Sequence, residues 1–501
     1  MPSMMGGLPE PMTYGATHDL IVVVPGIMGS ALKDRDSGRL VWGFAEAKWW
    51  VDAWNPMGQG LTPLALTDAE LEALHGGGYE PSTARIKPAG LLHGPIPAFA
   101  PILGGIEPYT RLVKELKKAV IHEAAALEFA YDWRLPTAFN SQLLDVAIRC
   151  RLKEWRKHEK HAEGRRLHPE QRDAQVVIVA HSMGGLVAQG LGTITGALDN
   201  VRQVITLGTP FYGAVAALSM LETGEAPPVS TILPRTRLRD VARTMPGVYD
   251  LLPRLRCLLV PSDEVGEDVI AVTPGHVAAI GASRDLAQAA ADRFQARKDV
   301  RLPQLQAHVG THQPTAQSAR IEHGHVIGQP HYYKFGADGV IRDDRIGQPV
   351  RFTDGEGDGT VPWRSARPLE HDRISYRPQQ HGALASSGES IKAIVSHVKD
   401  EPVGDRLGRG DIGIEVPDVV LAGQPVEIRV TGEADPARVT CQITDLGDPT
   451  GRAGRQPKAS RRGEDLVAEA FLGPGLYRVA AKLKAGGRDA VSQVVLVMES
   501  E

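Results

Sequence analysis

Cysteine is scarce: Cys150, Cys257 and Cys441 are the only three in 501 residues. Three scattered thiols cannot build a disulfide framework or a metal cluster, and their scarcity fits a reducing compartment. The amino-terminal stretch MPSMMGGLPEPMTYGATHD has no basic segment followed by an apolar core. Nor does any apolar run approach the roughly 20 residues needed to cross a bilayer. These absences make a cytoplasmic protein the expectation. Charge of one sign is also missing in excess: the net charge is −4, which gives no sign of a nucleic-acid partner. His312, His323, His325 and His331 are dense, but HExxH or comparable helical spacing is lacking and turn-forming residues lie between them, so neither a metal nor another cofactor is expected. What the chain does have is 42% apolar residues, enough for real cores, at a length that makes two domains the default.

The most informative stretch is AHSMG, residues 180–184. It follows the unbroken apolar run Val176, Val177, Ile178 and Val179 and opens a helix-compatible segment. A strand, a sharp turn and a helix in that order push a serine hydroxyl above the sheet edge, and small residues on either side let the backbone bend. Gly184 keeps one of the two usual glycines and Ala180 replaces the other. Ser182 is therefore the expected nucleophile.

A serine hydroxyl needs a histidine to take its proton, and that histidine needs an acid to fix its tautomer and stabilise its charge. In this arrangement the acid and then the histidine follow the serine in the chain, each on a loop after a late strand. The acid is expected in GDGTVPWRSA, residues 357–366, after the strand-like run Val350, Arg351 and Phe352. Asp358 sits there between glycines, with Asp354 and Glu356 as competitors. His381, in QQHGALASS, is the expected base. It stands just before an amphipathic segment (Ile391, Ile394, Val395, Val398) that reads as a final helix covering the sheet.

Six blocks in this order, PGIMGS (25–30), YDWR (131–134), AHSMGG (180–185), TLGTPFYG (206–213), GDGTVP (357–362) and His381, resemble the lecithin:cholesterol acyltransferase family, which includes lysosomal phospholipase A2; the AHSMGG form is also similar to the elbow of small bacterial lipases. The resemblance runs over about residues 18–400. It implies an α/β-hydrolase fold with a mostly parallel central sheet and cap or lid insertions, acting on lipid acyl esters. Carried over by position, it makes Ser182 the nucleophile, Asp358 the acid and His381 the base. The mammalian members' disulfide-closed lipid-binding loop is not transferable, because no cysteine precedes Cys150.

The oxyanion hole needs two amide donors. One is expected from Met183, after the nucleophile, where the helix dipole adds to the field. The other is expected from Ile27, on the loop after the apolar run Leu20 to Val24. YDWR ends a strand, and the likelier role of Arg134 is to pin its loop.

Two insertions are expected in the catalytic domain, residues 1–400, at about 40–100 and 214–268. The first gathers Trp42, Trp49, Trp50 and Trp54, a residue type that favours water–lipid boundaries. Trp49, Trp50 and Trp54 are candidate lipid contacts, weighed there against packing of a cap. The second is lid territory. Beyond the Pro- and Gly-rich 401–410, period-two apolar alternation predicts a small all-β, antiparallel, immunoglobulin-like sandwich over 411–501. Its segment 447–465, carrying Arg452, Arg455, Lys458, Arg461 and Arg462, reads as a flexible basic loop. The sandwich is a candidate for binding a partner or a surface. Every residue given a chemical role precedes it, so a chain ending near residue 403 is expected to work alone.

The expected function is a serine esterase of lipase or phospholipase type, with a lipid acyl ester as substrate, peripheral membrane contact and an acyl-enzyme intermediate. One alternative ends in acyl transfer to an alcohol. The other, of a different class, is a catalytically idle hydrolase fold that serves as a binding scaffold.

Overall fold

The computed structural model describes residues 16–43, 61–92, 109–224 and 235–499, save 264–265, 337–338, 344–346, 354–355, 369–372, 402–411, 418, 447–453, 464 and 485–489. Trp49, Trp50 and Trp54 therefore lie outside the described residues.

Six strands form the central sheet: β1 (Leu20–Val24), β2 (Ala126–Glu128), β3 (Val176–His181), β4 (Val201–Leu207), β5 (Gln306–Gly310) and β6 (Ile374–Arg377). Their order is β6-β5-β4-β3-β1-β2, and every pairing is parallel. Parallel strands are covered on both faces, so they read as continuous apolar runs. Accordingly all of LIVVV in β1 and all of VVIVAH in β3 is buried. Helix Thr137–Arg156 packs on α1 (Met183–Gly190), and Thr110–Ala119 packs on Gly388–Val398, the amphipathic segment expected to close the fold. The chain steps from β1 outward to β2, then returns to β3 and proceeds to the other edge. The reversal falls between β1 and β3. Loops leaving neighbouring strands in opposite directions open a crevice at the carboxyl ends, where sheets of this kind bind ligands.

At the other end of β1, the buried Asp19 carboxylate accepts from Arg172 Nη1 and Nη2 (2.6 and 2.8 Å), Arg202 Nε (2.9 Å) and the Gln175 N–H (2.8 Å). Burial pushes its pKa up, but these donors outweigh burial and hold it below the usual carboxylate value.

Trp42 belongs to the core. It is buried, donates from Nε1 to Met28 O at 2.8 Å and meets Trp133 edge-on at 5.6 Å. Of the two readings open for this cluster, packing holds for that tryptophan, because a buried indole on the main core has no face left for lipid.

The carboxyl-terminal strands are β7 (Gly413–Glu415), β8 (Val419–Leu421), β9 (Pro425–Thr431), β10 (Val439–Asp445), β11 (Ser460–Arg462), β12 (Asp465–Phe471), β13 (Gly475–Leu483) and β14 (Val491–Met498). They make two four-stranded sheets, β7-β9-β12-β11 and β8-β14-β13-β10, around a core of their own that includes Ile414, Ile428, Val479 and Val495. One pairing departs from the antiparallel expectation: β8 runs parallel to β14. The basic segment also differs from a free loop. Arg461 and Arg462 lie on β11, paired with β12, and the Arg462 guanidinium reaches Glu427 (3.2 Å) and Glu469 (2.8 Å). Cross-strand carboxylates supplied by folding thus neutralise a charge that looks unpaired in the sequence.

His18 and His161 are buried near the start of β1. Burial lowers both pKa values, only partly opposed at His18 by the Asp19 charge, while the Ala174 N–H needs His161 Nε2 as acceptor at 3.1 Å. A base whose pKa is lower folded than unfolded binds more protons when unfolded. Its stabilisation is therefore complete above the unfolded value near 6.5 and lost as pH falls toward the lowered folded value. Denaturant unfolding followed between pH 7.5 and 5.5 should show falling stability, with a shallower fall in His161→Gln, whose amide oxygen accepts the same bond without titrating. An identical slope in the variant would remove His161 from the account.

Candidate active site

The turn between β3 and α1 holds Ser182 at φ 51° and ψ −126°, a region that a residue with a side chain seldom occupies. Two backbone bonds pin it: Ser182 N–H to Leu207 O (2.8 Å) and Gly185 N–H to Ser182 O (3.0 Å). The loop after β1 presses against this turn. A Cβ on Gly26 would come within 2.9 Å of Ser182 Cβ, so only glycine fits there.

His381 stands on the turn after β6. Its Nε2 is 2.8 Å from Ser182 Oγ, its Nδ1 is 2.6 Å from Asp358 Oδ2, and all three residues are buried. The His381 N–H also donates to Asp358 O at 2.8 Å. Asp358 Oδ1 accepts from the N–H groups of Thr360 (3.0 Å) and Val361 (2.6 Å). Gly208, at φ 57° after β4, makes room for the pair, since a Cβ there would lie 2.8 Å from Asp358 Oδ2 and 3.1 Å from His381 Nδ1.

The strand-like run before the acid does form a strand. Arg351–Phe352 pairs with Tyr332–Tyr333 in a small ribbon away from the central sheet. What holds Asp358 is the short ladder of Gln313–Pro314 with Glu356–Gly357, which begins three residues after β5. Of the competing acids, Glu356 has Oε2 4.0 Å from His312 Nδ1, and Asp354 lies outside the described residues.

Ile27, on the loop after β1, and Met183, at the start of α1, are both buried. A Cβ on Gly184 would meet Pro25 O at 2.4 Å, which shows how closely the first turn of α1 approaches that loop. YDWR pins the loop from the other side. Tyr131 Oη donates to Pro25 O (2.8 Å), Trp133 Nε1 to Ser30 O (3.1 Å), and Arg134 grips Asp132 with two bonds (2.9 and 2.6 Å). With zero exposure, Arg134 is spent on structure.

One residue has no counterpart in the sequence reading. Tyr109 Oη accepts from the Gly26 N–H at 2.8 Å and lies 2.8 Å from His181 Nδ1, while His181 Nε2 lies 3.0 Å from His381 O. A carbonyl only accepts, so His181 Nε2 carries the hydrogen; Nδ1 of the neutral ring then accepts from the tyrosine hydroxyl. Burial, with the His381 charge adding to it, drives the His181 pKa to about 3 despite the bond to the His381 carbonyl, so the ring stays neutral. Tyr109 follows a stretch with no distinctive pattern, and nothing local announces a partner 72 residues away.

The sandwich also reaches this region. Gln380 Nε2 donates to Ile414 O on β7 (2.8 Å) and to Gln313 Oε1 (3.2 Å), and the Ile414 N–H donates to the same Gln313 oxygen (3.0 Å). The neighbouring Gln379 Nε2 donates to Ala490 O at 2.8 Å. The glutamines beside His381 and in the acid ladder thus bond to the carboxyl-terminal part of the chain.

The parallel sheet with its strand, serine turn and helix defines the α/β-hydrolase class. Residues 100–311 match the family model for lecithin:cholesterol acyltransferase, in keeping with the resemblance carried by the six blocks. No curated protein matches the chain. Among solved structures, the chain is similar to the Bacillus licheniformis lipase BlEst2 in its propeptide form, at 13% identity over 98% of this chain and 75% of that one, with a TM-score of 0.31. Two partial likenesses are CopC from Methylosinus trichosporium OB3b (22% identity, 17% of this chain and 88% of that one, TM-score 0.15) and the sulfur carrier SoxY from Chlorobium limicola f thiosulfatophilum (15%, 23% and 100%, TM-score 0.13). Among the described residues no helix is long and apolar enough to cross a membrane.

Removing the Tyr109 hydroxyl strands a buried amide and a buried imidazole nitrogen, each expensive without a partner. Tyr109→Phe should lose about 1–3 kcal/mol in urea unfolding. A loss near zero would show that another group takes over both bonds.

Proposed function

We propose that the protein is a serine esterase that cleaves a lipid acyl ester through an acyl-enzyme, with water as acceptor. The family match and the fold support hydrolysis or transfer of lipid acyl esters in general. The observation that carries the finer reading is the buried line of hydrogen bonds from Ser182 through His381 to Asp358. In this reading Ser182 Oγ attacks the ester carbonyl while His381 Nε2 takes its proton. Asp358 keeps the Nδ1–H tautomer and balances the imidazolium. The carbonyl oxygen, now negative, receives the N–H groups of Ile27 and Met183. The tetrahedral species collapses, His381 returns the proton to the leaving alcohol, and a water, deprotonated by the same ring, releases the fatty acid.

Water is favoured over an alcohol because the chain lacks the cysteine-closed loop of the mammalian relatives, and no feature of the described residues is fitted to hold a second lipid near Ser182. The test is product analysis from phospholipid or glyceride vesicles doped with a sterol or diacylglycerol: free fatty acid should dominate. New ester as the main product would make the activity acyl transfer.

A fluorophosphonate should label the protein once, and Ser182→Ala should abolish both labelling and turnover. Labelling that persists would sink the nucleophile, and no labelling of the native protein would favour the idle scaffold. Asp358→Asn should lower kcat by about 10⁴-fold, while Glu356→Gln should keep most activity.

The glutamine contacts argue against the expectation that the first 403 residues suffice. A chain ending at Glu401 leaves Gln313 and Gln380 without their β7 partners, and small misplacements of reacting groups cost about 10²-fold. Short-chain ester turnover by such a truncation should fall by that order in kcat, with the circular dichroism of the α/β part retained. Full activity in the truncation would show that the sandwich is dispensable to the site.

A further inference from the structure

A cavity of about 510 Å³ lies beyond the acid loop, bounded by the segment that follows β4 and by the one that follows Asp358; none of Ser182, Asp358 and His381 lines it. Its volume is that of a small-ligand site, about 300–1,000 Å³. Its charge opposes that of the whole chain. Among the described residues, Arg256, Lys334, Arg364 and Arg367 line it and no carboxylate does, although the protein carries a net −4. Among the described residues none of these four cations has an ion-pair partner, whereas the nearby Arg320, Arg342 and Arg351 are matched by Glu267 and Asp268.

Three of the four cations lie over aromatic faces, Lys334 with its Nζ 4.2 Å from the Phe352 ring centre. The Arg364 guanidinium sits 3.4 Å from the Tyr332 ring centre and 4.8 Å from that of Trp363, and Arg256 lies 5.6 Å from the Phe335 ring. Stacking fixes a guanidinium while leaving its N–H edge free to donate. Arg364 Nε is buried and makes no hydrogen bond.

The cavity also gathers exposed apolar surface. Eight large hydrophobic side chains are exposed among the described residues, and three of them, Leu255 (36%), Phe335 (41%) and Ile341 (42%), line this one cavity. Scattered exposed apolar residues need no explanation, but a cluster rimmed by polar groups marks a binding surface.

Cations without carboxylates select an anion, and adjoining exposed apolar side chains select a chain attached to it. We infer that this cavity binds an anionic amphiphile, a carboxylate or phosphate head on a single alkyl chain, with the head on Arg364 and its neighbouring cations and the chain along Leu255, Phe335 and Ile341. The site is separate from the Ser182 relay, so it stands whether or not that relay is catalytic.

The test is titration calorimetry of the full-length protein with four probes, dodecanoate, dodecyl phosphate, dodecanol and inorganic phosphate, each below its micelle concentration. None carries an acyl ester, so esterase chemistry does not enter. One equivalent of dodecanoate, dodecyl phosphate or both should bind at least tenfold more tightly than dodecanol and than inorganic phosphate, and the tighter anion identifies the head. The double substitution Arg364→Gln/Arg367→Gln should weaken the anionic probe at least tenfold and leave dodecanol unchanged; Leu255→Asp should weaken it through the chain. Dodecanol binding as tightly as the anions, inorganic phosphate matching them, or unchanged affinity in the arginine variants would overturn the proposal.

Discussion

A single buried hydroxyl holds three loops in register. Tyr109 Oη takes the Gly26 N–H from the loop after β1 and gives its own hydrogen to His181, which passes the constraint to the carbonyl of His381. The loop, the serine turn and the histidine turn leave different strands, and the parallel sheet alone fixes only where each begins. Buried polar groups must find partners, so this chain of bonds removes the freedom the sheet leaves. Burial keeps the second histidine, placed directly before Ser182, neutral, and the bonds occupy both of its ring nitrogens, so it does not compete for the proton that His381 handles in the proposed mechanism.

Polar satisfaction likewise explains why the carboxyl-terminal strands matter to a site they do not line. Gln313 and Gln380 are buried amides, and each bond from β7 meets a demand that would otherwise be unmet in the acid and histidine segments. The close fit at Gly413, where a Cβ would come within 2.0 Å of His312 O, requires β7 to lie flush against that chain. Such an interface is more than a tether. The two parts of the chain share hydrogen bonds at Gln379 and Gln380, the residues directly before His381.

Much of this was legible in the sequence where the signal is local. The apolar run before AHSMG, the turn residues around Asp358 and the amphipathic stretch after His381 each carry their structural meaning within a few residues, and the sheet, the serine turn and the closing helix follow them. What escaped depends on contacts between distant segments. Tyr109 and the glutamines acquire partners only when the strands assemble, and amide side chains have no periodicity to betray them. Trp42 stayed undecided in the sequence because an indole looks alike at a lipid boundary and in a core until its N–H partner, Met28 O, is known. Arg462 misled for the reverse reason: it looks free until β9 and β12 bring Glu427 and Glu469 alongside. The run before the acid does form a strand, Arg351–Phe352, but its pairing with Tyr332–Tyr333 apart from the central sheet is a contact between segments that local composition does not announce.

Burial of the relay sets what each member must do. In the proposed mechanism, with Ser182, His381 and Asp358 all removed from water, an imidazolium forming at His381 would find little solvent to stabilise it, and Asp358 would supply that stabilisation. The carboxylate is prepared for it: the amides of Thr360 and Val361 hold Oδ1, leaving Oδ2 aimed at Nδ1. A carboxylate fixed by backbone donors does not need to reorient as charge develops, which is the economy of a preorganised site. Glu356, on the same turn but directed at His312, has the same charge without that cradle. Proximity in sequence therefore does not make the two acids equivalent; the glycine-bounded turn that presents two N–H groups to one carboxylate oxygen does.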